Sequence, residues 1–204
     1  MVHHYILAAV IGYLLGCSNL AYFIAKAKHI DLASKGSGNP GTSNAVILMG
    51  WKIGVLVGAH DIGKALLAVV LANVLFPDTA YIAEVAGVAA VLGHIFPFYL
   101  KFRGGKGFAS FVGMSFAINW KYALVIVLVI VLVTVLFDYI VVATTVTVVS
   151  LPVFLLFTGS WIAAAIVFVA TAVIILKHRE NYVRIFKGTE IGLRSTIKGE
   201  HREE

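Results

Sequence analysis

Cysteine is nearly absent from this chain: Cys17 stands alone, inside an apolar run. That excludes an intrachain disulfide and any metal site built from several cysteines. Charge is scarce as well, at 13 % of residues against 60 % hydrophobic. A soluble domain of 204 residues has no interior large enough for so much apolar side chain, so lipid is the solvent that the composition implies. No small-residue cleavage signature follows the first apolar run and similar runs recur to residue 176, which argues against a removable signal peptide. Bases outnumber acids, 16 to 10, but they lie between hydrophobic runs, where orientation in a membrane accounts for them without nucleic acid.

A membrane helix needs roughly 20 mostly apolar residues, because the hydrocarbon offers no water to satisfy backbone groups. Tyr5 to Ala25, Ile53 to Phe76, Tyr81 to Leu100, Tyr139 to Thr158 and Trp161 to Lys177 meet that length, and Tyr122 to Phe137 is shorter but aliphatic at its centre. Phe108 to Ile118 is short enough to be a tilted span, a span extended by polar turns or a re-entrant piece. Counted as a span, it makes seven crossings in one all-α polytopic membrane domain over residues 1–204, with 178–204 as a basic tail. The loops after spans one, three and five then share a side with the C-terminus. That side collects Lys26, Lys28, Lys35, Lys52, Lys101, Arg103, Lys106 and the tail bases Lys177, Arg179, Arg184, Lys187, Arg194, Lys198 and Arg202, against Lys121 alone opposite. The positive-inside rule therefore predicts the N-terminus outside and the C-terminus in the cytoplasm. Trp51, Trp120 and Trp161 fall near span ends, as interfacial aromatics do.

Two loops on the basic side are rich in glycine. The first, Lys35-Gly-Ser-Gly-Asn-Pro-Gly-Thr-Ser-Asn44, lets backbone N–H groups turn inward into a nest for phosphate or another anion, though a flexible turn between spans has the same composition. It lacks the lysine-hydroxyl ending of a Walker A loop. The second, Lys101-Phe-Arg-Gly-Gly-Lys-Gly107, pairs close-approach glycines with three bases; without the glycines it would read as a patch for anionic headgroups. A third element, Lys177-His-Arg-Glu-Asn181 followed by Lys187-Gly-Thr-Glu190, carries a histidine suited either to general base work or to a helix end. Within the second span Asp61 and Lys64 stand three apart, and the favoured reading is an ion pair on one helical face that locks spans together. With His60 and Glu84 they would alternatively line a polar pathway, which keeps a transporter of phosphate-bearing solutes as a competing function, although no internal repeat accompanies it.

Taken in order, GSGNPGTSN, AHDIGKA, GHIFPFYLKFRGGKGFAS and HREN followed by GTE resemble the acyl-phosphate:glycerol-3-phosphate acyltransferase family, PlsY, over nearly the whole chain. The resemblance implies a seven-span enzyme of the bacterial plasma membrane with a cytoplasmic active site. Its reaction moves a fatty acyl group from acyl phosphate to the 1-hydroxyl of glycerol 3-phosphate, giving lysophosphatidic acid for phospholipid synthesis, with no cofactor and no metal. Acyl phosphate is already activated, so the enzyme has mainly to hold two anions together, orient the hydroxyl and stabilise an oxyanion. By resemblance Gly36, Ser37, Gly38, Asn39, Gly41, Ser43 and Asn44 with Gly104, Gly105 and Gly107 form the phosphate and oxyanion pocket. Lys101 and Lys106 neutralise phosphate, His178 and Asn181 orient or deprotonate the acceptor, and Thr144 and Glu190 join the substrate-binding set. His178, Asn181, Lys106 and Ser37 form the catalytic group of that set.

Four positions depart from the family pattern. Ile47 stands where GATNVxR carries arginine, a fork that Lys52 or Lys35 would not reproduce. The stretch usually written RYxSLAS appears as Asp138-Tyr-Ile-Val-Val-Ala-Thr144, with an acid for arginine and Val141 for the first serine, and Cys17 replaces the serine of a GS pair. These changes set a second expectation beside the first: a divergent member that acylates another phosphorylated acceptor.

Overall fold

The computed structural model describes residues 1–32 and 34–198, so Arg202 lies outside the described residues. Among these, all regular structure is helical: α1 (Val2–Cys17), α2 (Leu20–Ala27), α3 (Thr42–Met49), α4 (Trp51–Leu75), α5 (Ile82–Ile95), α6 (Phe108–Ile118), α7 (Trp120–Phe137), α8 (Ile140–Phe157), α9 (Trp161–Lys177), α10 (Arg179–Phe186) and α11 (Leu193–Lys198), with a 3₁₀ turn at Phe98–Leu100. Val2–Ala27, Trp51–Leu75, Ile82–Leu100, Trp120–Phe137 and Ile140–Phe157 are long and apolar enough to cross a membrane. Trp161–Lys177 joins Arg179–Phe186 at a bend of 44°, and the pair passes the same test together. Phe108–Ile118 has 11 residues. At 1.5 Å per residue that is about 16 Å, well under a hydrocarbon core of about 30 Å. The chain is an integral membrane protein, all-helical among the described residues, with five such helices there and a sixth if the bent pair is one span. Each tryptophan opens a helix, at Trp51, Trp120 and Trp161, and each side chain is exposed.

The chain divides into two compact units, Met1–Ile118 and Asn119–Glu204. In the first, α1 and α5 run parallel in close contact: a β-carbon at Gly12 or Gly16 would fall on the Ala86 or Ala90 carbonyl, and one at Gly93 on that of Tyr13. Lipid offers no hydrophobic drive for pairing, so small residues that let backbones approach supply dispersion contact instead. Because the pair is parallel, the segments that leave α1 and α5 emerge at one end of the unit. There the Tyr13 hydroxyl donates to the Phe96 carbonyl at 2.8 Å and the Tyr99 hydroxyl to that of Cys17 at 2.7 Å, which satisfies carbonyls left open at helix ends. Helix α3 doubles back along α4 through Gly50, whose φ of 84° favours glycine. Its side chains Val46 and Thr42 lie against Gly54 and Gly58 of α4, so the preceding loop lies beside the middle of that helix rather than at its start.

Two asparagines restart interrupted helices by the same means. Asn19 accepts from the Tyr22 N–H before α2 and Asn119 from the Tyr122 N–H before α7, both at 2.9 Å. The second unit answers a further interruption differently. Pro152 lies inside α8 and has no N–H for the carbonyl of Val148, four residues earlier. The Thr171 hydroxyl of α9 donates to that carbonyl at 2.7 Å, and both groups are buried. Thr171→Val keeps the shape and removes the donor, so we expect a loss of about 1–2 kcal/mol, the range for a buried polar group left unpaired. Thermal unfolding in detergent measures it, and adding Pro152→Ala, which returns an N–H to Val148, recovers most of the loss.

Candidate active site

In the first unit the glycine-rich loop is stitched by one side chain. Asn44, in the first turn of α3, is fully buried; its Oδ1 accepts from the Ser37 N–H at 2.8 Å, and its Nδ2 donates to the carbonyls of Leu32 and Lys35 at 3.1 and 3.2 Å. Gly36 and Gly38 take left-handed φ values of 60° and 67°, with Gly36 packed against the Asn44 amide. The chain reaches α3 through a tight turn in which Gly41 N–H donates to the Asn39 carbonyl at 2.8 Å. Gly41 is the N-cap, and no side chain caps the helix. The first intrahelical bond is made by Ala45 N–H, so the amides of Thr42, Ser43 and Asn44 open the positive end of a helix dipole, an arrangement suited to an anion. Ser43 and Lys35 are exposed, Ser37 and Asn39 half-buried.

The second glycine loop folds back over the end of α5. Gly104 N–H donates to Ile95 O at 3.0 Å and Gly105 N–H to His94 O at 3.1 Å. Lys101 and Phe102 are both left-handed, at φ of 52° and 60°, and Gly107 at 93° starts α6. Two successive non-glycine residues in that region store strain that the surrounding contacts must hold, a frequent mark of functional loops. Lys101 is exposed and Lys106 half-buried. Gly105 lies against the His94 ring, where a β-carbon would collide with Nε2.

Beneath these loops the pair expected at Asp61 and Lys64 is present: Lys64 Nζ donates to Asp61 Oδ1 at 2.7 Å. It also donates to the Ser18 carbonyl at 2.6 Å and lies 2.8 Å from Nδ1 of His94. His60, expected beside them, pairs through Nε2 with the Ser18 hydroxyl at 3.0 Å. Sequence reading singled out neither His94 nor Ser18 and Asn19. His94 stands inside the GHIFPFYLKFRGGKG stretch, yet it meets Lys64 from 30 positions away, beyond any local spacing rule.

In the second unit His178 joins α9 to α10 and is 6 % exposed. Its Nδ1 lies 2.8 Å from the Ile174 carbonyl, which can only accept, so Nδ1 carries the proton and Nε2 is the basic nitrogen. Asn181 follows one turn later, nearly buried, and its Nδ2 donates to Glu190 Oε1 at 2.5 Å. The other Glu190 oxygen accepts from Arg184 Nε at 2.6 Å. Both oxygens are thus engaged by α10, which orients Asn181. Thr144 is buried in α8 with its hydroxyl donating to the Ile140 carbonyl at 3.0 Å, and Val141 is buried as an apolar packing residue. Asp138 is a left-handed C-cap of α7 whose carbonyl accepts from Leu193 N–H at 2.7 Å and whose Oδ1 accepts from Arg194 N–H at 2.8 Å. The acid that departs from the family pattern therefore fastens α11.

The family profile for glycerol-3-phosphate acyltransferase matches residues 6–188. Among relatives, "Glycerol-3-phosphate acyltransferase 1" of Oceanobacillus iheyensis is 34 % identical over 94 % of this chain and 96 % of its own length. The glycerol-3-phosphate acyltransferase of Coxiella burnetii is 36 % identical over 91 % and 96 %. In structure, the chain resembles PlsY (YgiH), an integral membrane glycerol 3-phosphate acyltransferase, in its glycerol 3-phosphate form, with a TM-score of 0.88 and 32 % identity over 95 % of this chain and 98 % of that one. The lysophosphatidic acid form gives 0.84 and 32 % over 96 % and 97 %. A helical integral membrane protein is what these observations define, and the chain belongs to the glycerol-3-phosphate acyltransferase family.

The stitching of the first loop has a direct test. Asn44→Asp keeps an oxygen for Ser37 N–H but removes both donors, leaving the Leu32 and Lys35 carbonyls without their partner. Amide exchange across residues 34–41 should quicken by about tenfold or more, since an unpaired buried group costs about 1–3 kcal/mol. Helical content should stay the same by circular dichroism. Unchanged exchange would mean that the loop is ordered by something else.

Proposed function

We propose that the chain transfers a fatty acyl group from acyl phosphate to the 1-hydroxyl of glycerol 3-phosphate, giving lysophosphatidic acid. The observation that carries this reading is the Asn44-stitched loop leading into the uncapped N-terminus of α3, set in a chain of this family. The acceptor oxygen forms an ester bond to the acyl carbon as the bond from that carbon to phosphate oxygen breaks and inorganic phosphate leaves. The open amides of Thr42, Ser43 and Asn44 at the start of α3 bind phosphate or the developing oxyanion, while Lys101 and Lys106 supply positive charge. The hydroxyl proton has two chemically suitable acceptors, Nε2 of His178 and a phosphate oxygen of the substrate. Asn181, held by Glu190, orients the acceptor. No step needs a serine or cysteine nucleophile, since the donor is a mixed anhydride.

Two carboxylate and side-chain changes bear on the acceptor. Val141 offers no hydroxyl and Asp138 is engaged by the tail, so the acceptor contacts of this chain rest on other groups than the family pattern would supply. That favours a second reading within the class, acylation of a different phosphorylated alcohol. Purified protein given acyl phosphate and glycerol 3-phosphate should release inorganic phosphate and form lysophosphatidic acid, and Lys106→Ala should lower turnover by about a hundredfold or more, as loss of a charge-stabilising group does. A folded preparation that forms no product with glycerol 3-phosphate but does so with another phosphorylated alcohol selects the second reading. Transport of a phosphate-bearing solute into proteoliposomes without phosphate release would overturn both.

We further infer seven crossings, the short α6 included, with the N-terminus outside and both glycine loops facing the cytoplasm. Charge carries this: Lys121 is the one base expected outside. In a Cys17→Ser background, a membrane-impermeant maleimide applied to intact cells should label Lys121→Cys and spare Lys35→Cys until the membrane is opened. Labelling in the reverse order would invert the topology.

A further inference from the structure

The buried cluster under the two glycine loops does more than join helices. We propose that Asp61, Lys64 and His94 are positioning residues that hold both phosphate-binding loops of the first unit in place, so that substrate affinity is set from beneath by a side-chain network that touches no substrate. The proposal rests on the reading of those loops as the phosphate site.

Asp61, Lys64 and His94 are 2, 6 and 4 % exposed. An ammonium has three donors, and Lys64 has three acceptors in reach: Asp61 Oδ1, Ser18 O and His94 Nδ1. His94 Nδ1 lies 2.8 Å from Lys64 Nζ and 3.3 Å from Asp61 Oδ1, so the ring meets both members of the pair. Burying ionisable groups among apolar helices is costly, and apolar packing would join α4 and α5 at less expense of desolvation. What apolar packing cannot do is make polar contacts to the Ser18 carbonyl and to the His94 ring.

Those sites are the points from which the two loops hang. Ser18, whose carbonyl Lys64 holds, lies in the two-residue break between α1 and α2. Its neighbour Asn19 donates from Nδ2 to the Pro40 carbonyl at 3.1 Å, inside the first glycine loop. His94 receives Gly105 N–H on its carbonyl, and its ring fills the space a side chain at 105 would need. From Lys64, then, one route runs through Ser18 and Asn19 to Pro40, and the other through His94 to Gly105. A lock between helices alone has no reason to end at both loops.

Two arms test this, both in preparations matched for folding by size exclusion and thermal unfolding. First, Lys64→Met should raise the KM for glycerol 3-phosphate and weaken its calorimetric affinity by about tenfold or more, the order expected for lost hydrogen bonds to a charged group, with kcat changed much less. Second, Gly105→Ala should lower kcat/KM sharply because its β-carbon meets the His94 ring. His94→Asn vacates that space and keeps an oxygen to accept from Lys64, so the Gly105→Ala, His94→Asn double variant should regain about tenfold over Gly105→Ala alone. This arm leaves the ion pair intact and decides the matter even if Lys64→Met fails to fold. An active wild type with unchanged KM and affinity in folded Lys64→Met overturns the proposal, and so does a double variant no better than Gly105→Ala. A wild type that neither binds glycerol 3-phosphate nor turns over removes the underlying reading instead.

Discussion

Hydrocarbon leaves little room for an unpaired peptide group, and several departures from a plain helix in this chain are answered by a named donor or acceptor. Where α1 breaks at Ser18, the Tyr99 hydroxyl takes the Cys17 carbonyl and Lys64 takes that of Ser18. Where Pro152 deprives Val148 of a partner, Thr171 provides one. Where α5 ends, Gly104 and Gly105 bend back to its last carbonyls. The interruptions are what allow polar loops near membrane depth, and their repair determines the form those loops take.

The same logic applies to the loops, each of which is tied down by named contacts. A glycine-rich segment left to itself samples many conformations, and binding an anion would then include the entropy of ordering it. Asn44 removes much of that freedom in advance by holding three backbone groups, and the strained pair Lys101–Phe102 is fixed by the turn on which Phe102 N–H bonds Pro97 O. Preorganised amides lose nothing to reorganisation when charge develops beside them.

Much of this was legible from residues alone, and the limits have physical causes. The apolar runs marked the long helices to within a few residues, because span length is dictated by membrane thickness; Phe108–Ile118 stayed ambiguous for the same reason, being too short to obey it. The glycines and Asn44 announced a nest, and i,i+3 spacing announced the Asp61–Lys64 pair. Spacing says nothing of partners on other helices, so His94 and Ser18 could not be placed beside Lys64, nor Thr171 beside Val148. The departure at Asp138 read as a loss from an acceptor site; the structure shows its carboxylate and carbonyl in use by Leu193 and Arg194.

That last contact ties the end of the chain to a membrane helix. Arg194 also donates through Nη2 to the Val135 carbonyl, one turn inside α7, so the final short helix serves as an external cap for a helix more than fifty positions earlier. A tail usually regarded as disposable thus becomes part of the membrane domain's upkeep. Trimming that removes α11, or a fusion that displaces it, would strip α7 of this cap.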